Sequence, residues 1–285
     1  MDKDTFLNRK TTLNLNGQLL DLSTPSVMGI VNVTPDSFFS ESRHANVDMA
    51  LEKTGKLLEE GAKFIDIGGY SSRPGAQDVS AAEETDRVVP VIEAISKAFP
   101  EAVLSIDTFR AAVAAESIAA GAHIINDISG GELDQYMFDM VAKLQVPYIL
   151  MHMKGTPQTM QKDPFYEDVT LEVASYFVEK IAKLKALGVK DIILDPGFGF
   201  AKNTQHNYKL LQEMCDLHIF GLPLLVGFSR KGMVYRTLDI TPEEALNGTT
   251  VLNTIALQKG ANILRVHDVK EAAECITLVQ KMQQA

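Results

Sequence analysis

The sequence predicts an α/β fold, a single (β/α)8 TIM barrel with an N-terminal β-hairpin. Three observations carry this. Apolar strand-like runs alternate with helix-period segments along almost the whole chain, there are eight such runs, and nearly every run ends on a polar residue. The runs are Val27–Val33, Lys63–Gly69, Val103–Asp107, His123–Ile128, Tyr148–Met153, Asp191–Asp195, Leu224–Phe228 and Ile263–His267. Strands that are apolar on both faces and alternate with helices belong to a closed parallel barrel. A doubly wound sheet would carry a Gly-x-Gly-x-x-Gly turn after an early strand, and the sequence has none there.

Before the first run, Thr11–Asp21 alternates around an Asn16-Gly17 turn, which predicts a β-hairpin placed as a cover over the barrel's bottom. The expected division is therefore residues 1–26 as an N-terminal extension and 27–285 as the barrel, with no Ser/Gly/Pro linker to suggest a second domain. Helix patterns fill the gaps. Val173, Phe177, Ile181 and Leu184 recur at spacings of four and three within Val169–Leu187. Ser80-Ala-Ala-Glu83 and Thr241-Pro-Glu-Glu244 read as capping boxes, the second with Pro242 at the first helical position, and Asp268 with Glu271 reads the same way.

Composition narrows the function. The chain has 285 residues, 46% hydrophobic and 22% charged, as in a soluble globular protein. A formal charge of −10 with no Lys/Arg run argues against a nucleic-acid surface, so an anionic substrate needs locally placed cations. The opening "MDKDTFLNRK" has no apolar leader core and no stretch approaches a membrane span, so a cytoplasmic location is expected. Cys215 and Cys275 stand alone and are expected to be reduced packing residues.

In a barrel, the C-terminal ends of the strands and the loops after them build the active site. Here those ends offer Asn32, "GGYSSRPGA", Asp107, Asn126-Asp127, "LMHMKGTP", Asp195, "GFSRKGM", and Arg265 with His267. Several have plain structural readings. Asp107 or Thr108 could cap the next helix, Asp268 reads as a cap, and Asp127 points away from Asn126 and reads as structural. Asp66, mid-strand, reads as holding a neighbouring strand or loop. His44, His123, His206 and His218 are scattered singly, and no two histidines have metal-ligand spacing, so a zinc site is not expected. The convergent set is Asp107, Asn126 and Asp195. Two carboxylates and an amide suit a flat heterocycle bearing N–H donors. Lys231, Arg265 and His267 are expected to supply positive charge for an anion such as phosphate or pyrophosphate.

These motifs resemble the dihydropteroate synthase family. The match runs from "MGIVNVTPDSF" through "DIGGYSSRPGA", "SIDTFR", "INDISGG", "MHMKGTP" and "LDPGFGFAK" to "GFSRKGM" and "LRVHD". The resemblance implies a transferase of folate biosynthesis. It would condense 7,8-dihydropterin-6-ylmethyl diphosphate with 4-aminobenzoate (para-aminobenzoate), giving 7,8-dihydropteroate and pyrophosphate by dissociative loss of the latter. It implies a pterin site of Asp107, Asn126, Asp195, Lys231, Met151, Gly227 and Phe200, and a diphosphate site of Asn32, Arg265 and His267. It assigns Phe38, Ser72, Arg73, Pro74, Ser229 and Lys231 to 4-aminobenzoate, Asn32 to a Mg²⁺ ion, and Asp107, Lys231, Arg265, Asn32 and Arg73 to catalysis. It also implies a homodimer and a sulfonamide target. "TPDSFFSE" and "SSRPGA" would be lids that exclude water.

Two departures stand out. Gly232 replaces a Ser usual in the family, and the first lid lacks the usual Asp-Gly-Gly, leaving Glu41 as its acidic residue. A methyltetrahydrofolate-dependent methyltransferase barrel would share the pterin-facing residues but has no use for a diphosphate site. The same motifs are compatible with a silent pterin binder and with a sulfonamide-resistant synthase.

Overall fold

The computed structural model describes residues 10–33, 43–70, 79–156, 160 and 164–285. It opens with a hairpin of β1 (Thr12–Leu15) and β2 (Gln18–Asp21). Between them Asn16 and Gly17 both take positive φ, 50° and 92°, as a two-residue turn matching the twist of the strands requires.

Eight parallel strands follow: β3 (Ser26–Asn32), β4 (Ala62–Gly68), β5 (Val103–Asp107), β6 (Ile124–Asp127), β7 (Tyr148–Met151), β8 (Ile192–Asp195), β9 (Leu225–Val226) and β10 (Ile263–Val266). Their order is β8-β7-β6-β5-β4-β3-β10-β9. A parallel bridge between Leu194 and Leu224 joins the two ends, and the Leu194 N–H donates to the Pro223 carbonyl at 2.9 Å, closing the barrel. The helices are α1 (Arg43–Glu59), α2 (Ala81–Ala98), α3 (Ala111–Ala119), α4 (Met137–Leu144), α5 (Val169–Ala186), α6 (Thr204–Gln212), α7 (Gly232–Leu238), α8 (Leu246–Gln258) and α9 (Val269–Gln284). Most strands fall a residue or two inside the predicted runs, and the seventh shrinks to Leu225–Val226 plus the bridge.

Strand alternation separates two cores. Residues facing outward, such as Val31, Ile67, Leu104, Leu150 and Val266, pack under the helices. Facing inward at the bottom are Met28, Phe64, Val103, Ile124, Ile149, Ile193, Leu225 and Ile263, one from each barrel strand. Leu13 and Leu22, from the hairpin and the residue after it, are fully buried against this layer. The hairpin is therefore the bottom cover that the sequence predicts, and each of those leucines contributes roughly 1.5–3 kcal/mol by burial.

The Ser80 capping box forms in full at the start of α2. The one at Thr241 does not open a helix. The Thr241 N–H does reach Glu244 Oε2 at 3.0 Å, but residues 241–245 make turns and α8 begins only at Leu246. Asp268 precedes α9 without capping it, because its carboxylate is taken by Arg230 at 2.7 and 3.2 Å. Neither Asp107 nor Thr108 caps α3. The Ala111 N–H goes to Asp134 Oδ2 at 2.8 Å, while Thr108 Oγ1 accepts from the Arg110 N–H. Both cysteines are free, but only Cys275 packs inside; Cys215 is exposed. Among the described residues no helix is long and apolar enough to cross a membrane.

Candidate active site at the barrel mouth

Two residues above the apolar bottom layer, the inward positions change chemistry. They read Ile30, Asp66, Ser105, Asn126, Met151, Asp195, Gly227 and Arg265 in strand order. Asp66 and Ser105 are completely buried, and Asp66 Oδ1 and Ser105 Oγ have no hydrogen-bond partner among the described residues. A buried layer with unused hydrogen-bonding capacity suits a polar ligand better than it suits a core. Above it, a satellite cluster of Ile128, Met151, Met153, Met160 and Ala201, flanked by Phe109, Leu133 and Phe200, lines one side of the mouth with apolar surface.

Arg265 ties the polar layer together. Its Nε donates to Asp66 Oδ2 at 2.6 Å and its Nη2 to Asp107 Oδ2 at 2.6 Å, linking β10 to β4 and β5. The same Asp66 oxygen accepts from Asn126 Nδ2 at 3.0 Å. Burial pulls the Arg265 guanidinium down, but Asp66 and Asp107 outweigh it and hold the group firmly charged. Burial also pushes Asp107 up to about 7, opposed by Arg265 and reinforced by Asp66. Gly68, between these strands, keeps the centre open. A β-carbon on it would stand 3.6 Å from both Asn32 Oδ1 and Asp107 Cβ.

Across the mouth, Asp195 is buried at the tip of β8, and its Oδ1 accepts the Gly197 N–H at 2.8 Å. Burial raises its carboxyl, and Lys231 is the strongest opposing charge. The turn 196–201 then folds back so that Lys231 Nζ donates to the Phe198 carbonyl and stands 4.8 Å from the Phe200 ring centroid. Burial lowers Lys231 to about 8. Gly199 is needed here, because its φ is +82° and a β-carbon would lie 2.9 Å from the Lys231 stem.

Ser229-Arg230-Lys231 splits three ways because Arg230 takes a left-handed φ of 56°. Lys231 turns into the site, Arg230 turns out to Asp268, and Ser229 turns to His267. The Ser229 hydroxyl accepts the His267 backbone N–H at 3.2 Å and lies 3.0 Å from Nδ1. The ring's tautomer decides which of the two donates in that second contact. Burial, with Arg265 and Lys53 nearby, lowers His267 to about 4. Burial thus favours the neutral imidazole, where the sequence reading expects a cation.

The arrangement offers carboxylate and amide acceptors for a donor-rich heterocycle, and among them a guanidinium, an ammonium and an imidazole for an anion. The comparisons agree with this chemistry. The profile of the family described as pterin binding enzyme matches residues 28–267. The chain is 47% identical to the dihydropteroate synthase of Escherichia coli (strain K12) over 266 residues, 93% of this chain and 94% of that one. The chain belongs to the dihydropteroate synthase family.

Solved structures of the family superpose closely. Yersinia pestis dihydropteroate synthase in a sulfonamide drug complex matches with a TM-score of 0.90 at 47% identity, covering 96% of this chain and 100% of that one. The Xanthomonas albilineans enzyme in complex with 7,8-dihydropteroate matches with a TM-score of 0.86 at 38% identity, covering 96% and 99%.

Of the residues singled out from sequence, the fold brings Asn32, Asp107, Asn126, Met151, Asp195, Phe200, Gly227, Ser229, Lys231, Arg265 and His267 to one mouth. Phe38, Glu41, Ser72, Arg73 and Pro74, with the whole of both expected lid segments, lie outside the described residues. Asp127 is structural, as read. It is fully buried and accepts from Ser129, Gly131 and Tyr148 at 2.7–2.8 Å.

Asp66 holds neighbouring strands as read, accepting from Arg265 on β10 and Asn126 on β6. Lys202, buried behind Asp195, is a part of the site's framework that the sequence reading does not include. Among the described residues no group of three or more metal-ligating His, Cys, Asp or Glu side chains occurs. The half-buried Asn32 amide at the tip of β3 is a single hard oxygen donor. One such donor fits an octahedral Mg²⁺ that takes its other ligands from phosphate oxygens and water.

Proposed function

We propose that this chain condenses 7,8-dihydropterin-6-ylmethyl diphosphate with 4-aminobenzoate to give 7,8-dihydropteroate and pyrophosphate. The observation that carries the reading is the meeting of Asp107, Asn126 and Asp195 with Lys231, Arg265 and His267 at one barrel mouth, in a chain of this family. Asp195 and Asn126 bind the pterin's N–H and ring-nitrogen edge, Asp107 and Lys231 complete that contact, and Met151, Gly227 and Phe200 face the ring. The Arg265 guanidinium and the His267 imidazole take the diphosphate, and Asn32 stands beside them.

The reaction breaks the bond between the pterin methylene carbon and the diphosphate oxygen, and the electron pair leaves with pyrophosphate. Charge develops at both ends, negative on the leaving group and positive on the pterin methylene. Fixed donors at one end and carboxylates at the other stabilise that separation without moving. The amine nitrogen of 4-aminobenzoate then bonds to the methylene carbon and loses a proton to water. No nucleophilic side chain is required. Mg²⁺, held through Asn32 and the diphosphate oxygens, would neutralise leaving-group charge.

Ser229 is assigned with Lys231 to the 4-aminobenzoate side, and its hydrogen bond to His267 at the mouth supports that reading. The same reading includes a cytoplasmic location and a homodimer. Exposed Val251, Leu278 and Met282 on α8 and α9 support an apolar contact between copies, which sedimentation velocity tests.

The deciding experiment follows pyrophosphate and dihydropteroate together, with Mg²⁺ and with or without 4-aminobenzoate. Release matched by dihydropteroate formation is the expected result. Pterin binding without release in either condition would assign the chain to the silent binders.

A further inference from the structure

We infer that Lys202 is a positioning residue for the pterin end of the site, its buried side-chain nitrogen clamping the turn on which Asp195 and Lys231 depend. This rests on the function proposed above. Lys202 is 2% exposed, and its Nζ has three hydrogen-bond partners: His152 Nδ1 at 2.9 Å, the Gly197 carbonyl at 3.1 Å and the Phe200 carbonyl at 3.1 Å. The two carbonyls must accept, while His152 Nδ1 accepts or donates according to the ring's tautomer, so the Lys202 nitrogen is held by all three contacts in either protonation state. Burial lowers Lys202 to about 7, with Asp195 opposing that shift.

Everything the turn does for the mouth passes between those contacts. The Gly197 N–H donates to Asp195, the Phe198 carbonyl seats Lys231, and the Phe200 ring faces Lys231 Nζ. The turn also holds strain. Gly197, Gly199 and Ala201 all have left-handed φ, 71°, 82° and 50°, and the last is costly for a residue with a side chain. Such a backbone persists only where the surroundings over-determine it. Here the clamp is reinforced by Tyr166, whose hydroxyl donates to the Ala201 carbonyl at 2.9 Å.

The anchor on β7's side is equally fixed. The His152 N–H donates to the Asp195 carbonyl at 3.0 Å, and its ring packs edge-on against Tyr176 at 5.0 Å. Burial and the nearby Lys202 hold this imidazole well below its ordinary pKa, so the ring beside Lys202 is neutral. Asp195 and Lys202 also stabilise each other's charge across the turn, against the burial that opposes both.

The test compares two half-ligands, 6-hydroxymethyl-7,8-dihydropterin and Mg-pyrophosphate, by calorimetry on wild type, Lys202→Met, Asp195→Asn and the double variant. Lys202→Met is expected to weaken the pterin alcohol about ten- to a hundredfold while leaving pyrophosphate within about twofold. In the Asp195→Asn background the same change is expected to add less than about threefold, because both act through one contact. Equal loss of both ligands, full additivity, or unchanged pterin affinity overturns the inference. Should Lys202→Met fail to fold, His152→Leu removes one contact of the clamp and is judged by the same pattern at smaller amplitude. A wild-type protein that binds no pterin alcohol would overturn the proposed function itself, a different result from a wild type that binds and a variant that binds equally.

Discussion

The bottom and the mouth of the barrel are built by the same eight strands, two residues apart, and they have opposite chemistry. At the bottom every inward side chain is apolar, and two leucines from the hairpin seal the layer. One step higher stand Asp66, Ser105, Asn126, Asp195 and Arg265, with polar atoms orphaned among the described residues and carboxyls that burial pushes upward. The lower layer gives the fold stability that tolerates the upper one. The upper layer holds charges where a ligand can use them, at a cost in stability. Function here is a change of residue type at fixed geometry, not a change of fold.

That contrast can be broken from either side. The largest effect is expected at Arg265, which alone bridges Asp66 and Asp107. Arg265→Met should lower kcat/KM by about a thousandfold, because a preorganised donor is lost, and should destabilise the fold by about 3 kcal/mol by leaving Asp66 buried without its cation. Steady-state kinetics and urea unfolding check both halves, and a stable, fully active variant would refute the bridge's role. Next is Leu13→Ala. Loss of a fully buried side chain under the barrel should cost about 3 kcal/mol in unfolding free energy with kcat/KM unchanged, so the two ends respond independently.

A smaller effect sharpens the electrostatics of the mouth. Asp107 accepts as a charged carboxylate with both oxygens only when ionised, and it gains its proton as pH falls through about 7. Lys231 donates as a cation only below about 8. Affinity for the pterin alcohol, which has no phosphate of its own to titrate, should therefore peak between about 7 and about 8. It should fall toward tenfold per pH unit on each side, the limbs belonging to the coupled groups together. An affinity, followed by fluorescence titration, that stays flat well below 7 and well above 8 would contradict it. The smallest expected effect is at Thr241, whose box precedes a turn and not a helix. Thr241→Ala should change the melting free energy by less than about 0.5 kcal/mol, against about 1 for a working cap such as Ser80→Ala.

These same regions show why some of the molecule was legible in its sequence and some was not. The barrel could be read because eight apolar runs each have to be buried on both faces, and the hairpin because Asn16-Gly17 leaves few other turns. The mouth could be read because Asn32, Asp107, Asn126, Asp195 and Arg265 interrupt apolar runs at their ends. What escaped depends on contacts between strands far apart in the chain. His267 is an ordinary histidine until the fold sets its ring 3.0 Å from Ser229, 38 residues earlier, and burial lowers its pKa. Lys202 looks like a solvated lysine after an aromatic turn, and only the fold of 196–201 puts it inside. Asp268 and Thr241 carry cap signals, yet a cap is local, and in Asp268 a tertiary partner, Arg230, takes the carboxylate.

The most direct test of the division of the mouth into a pterin end and a diphosphate end is calorimetric binding of 6-hydroxymethyl-7,8-dihydropterin and of Mg-pyrophosphate to Asp195→Asn and His267→Ala. Asp195→Asn is expected to lose the pterin alcohol and keep pyrophosphate, and His267→Ala the reverse, each loss being about tenfold or more. If either variant loses both ligands alike, or neither, the two ends are not separate sites and the proposed charge separation has no structural basis.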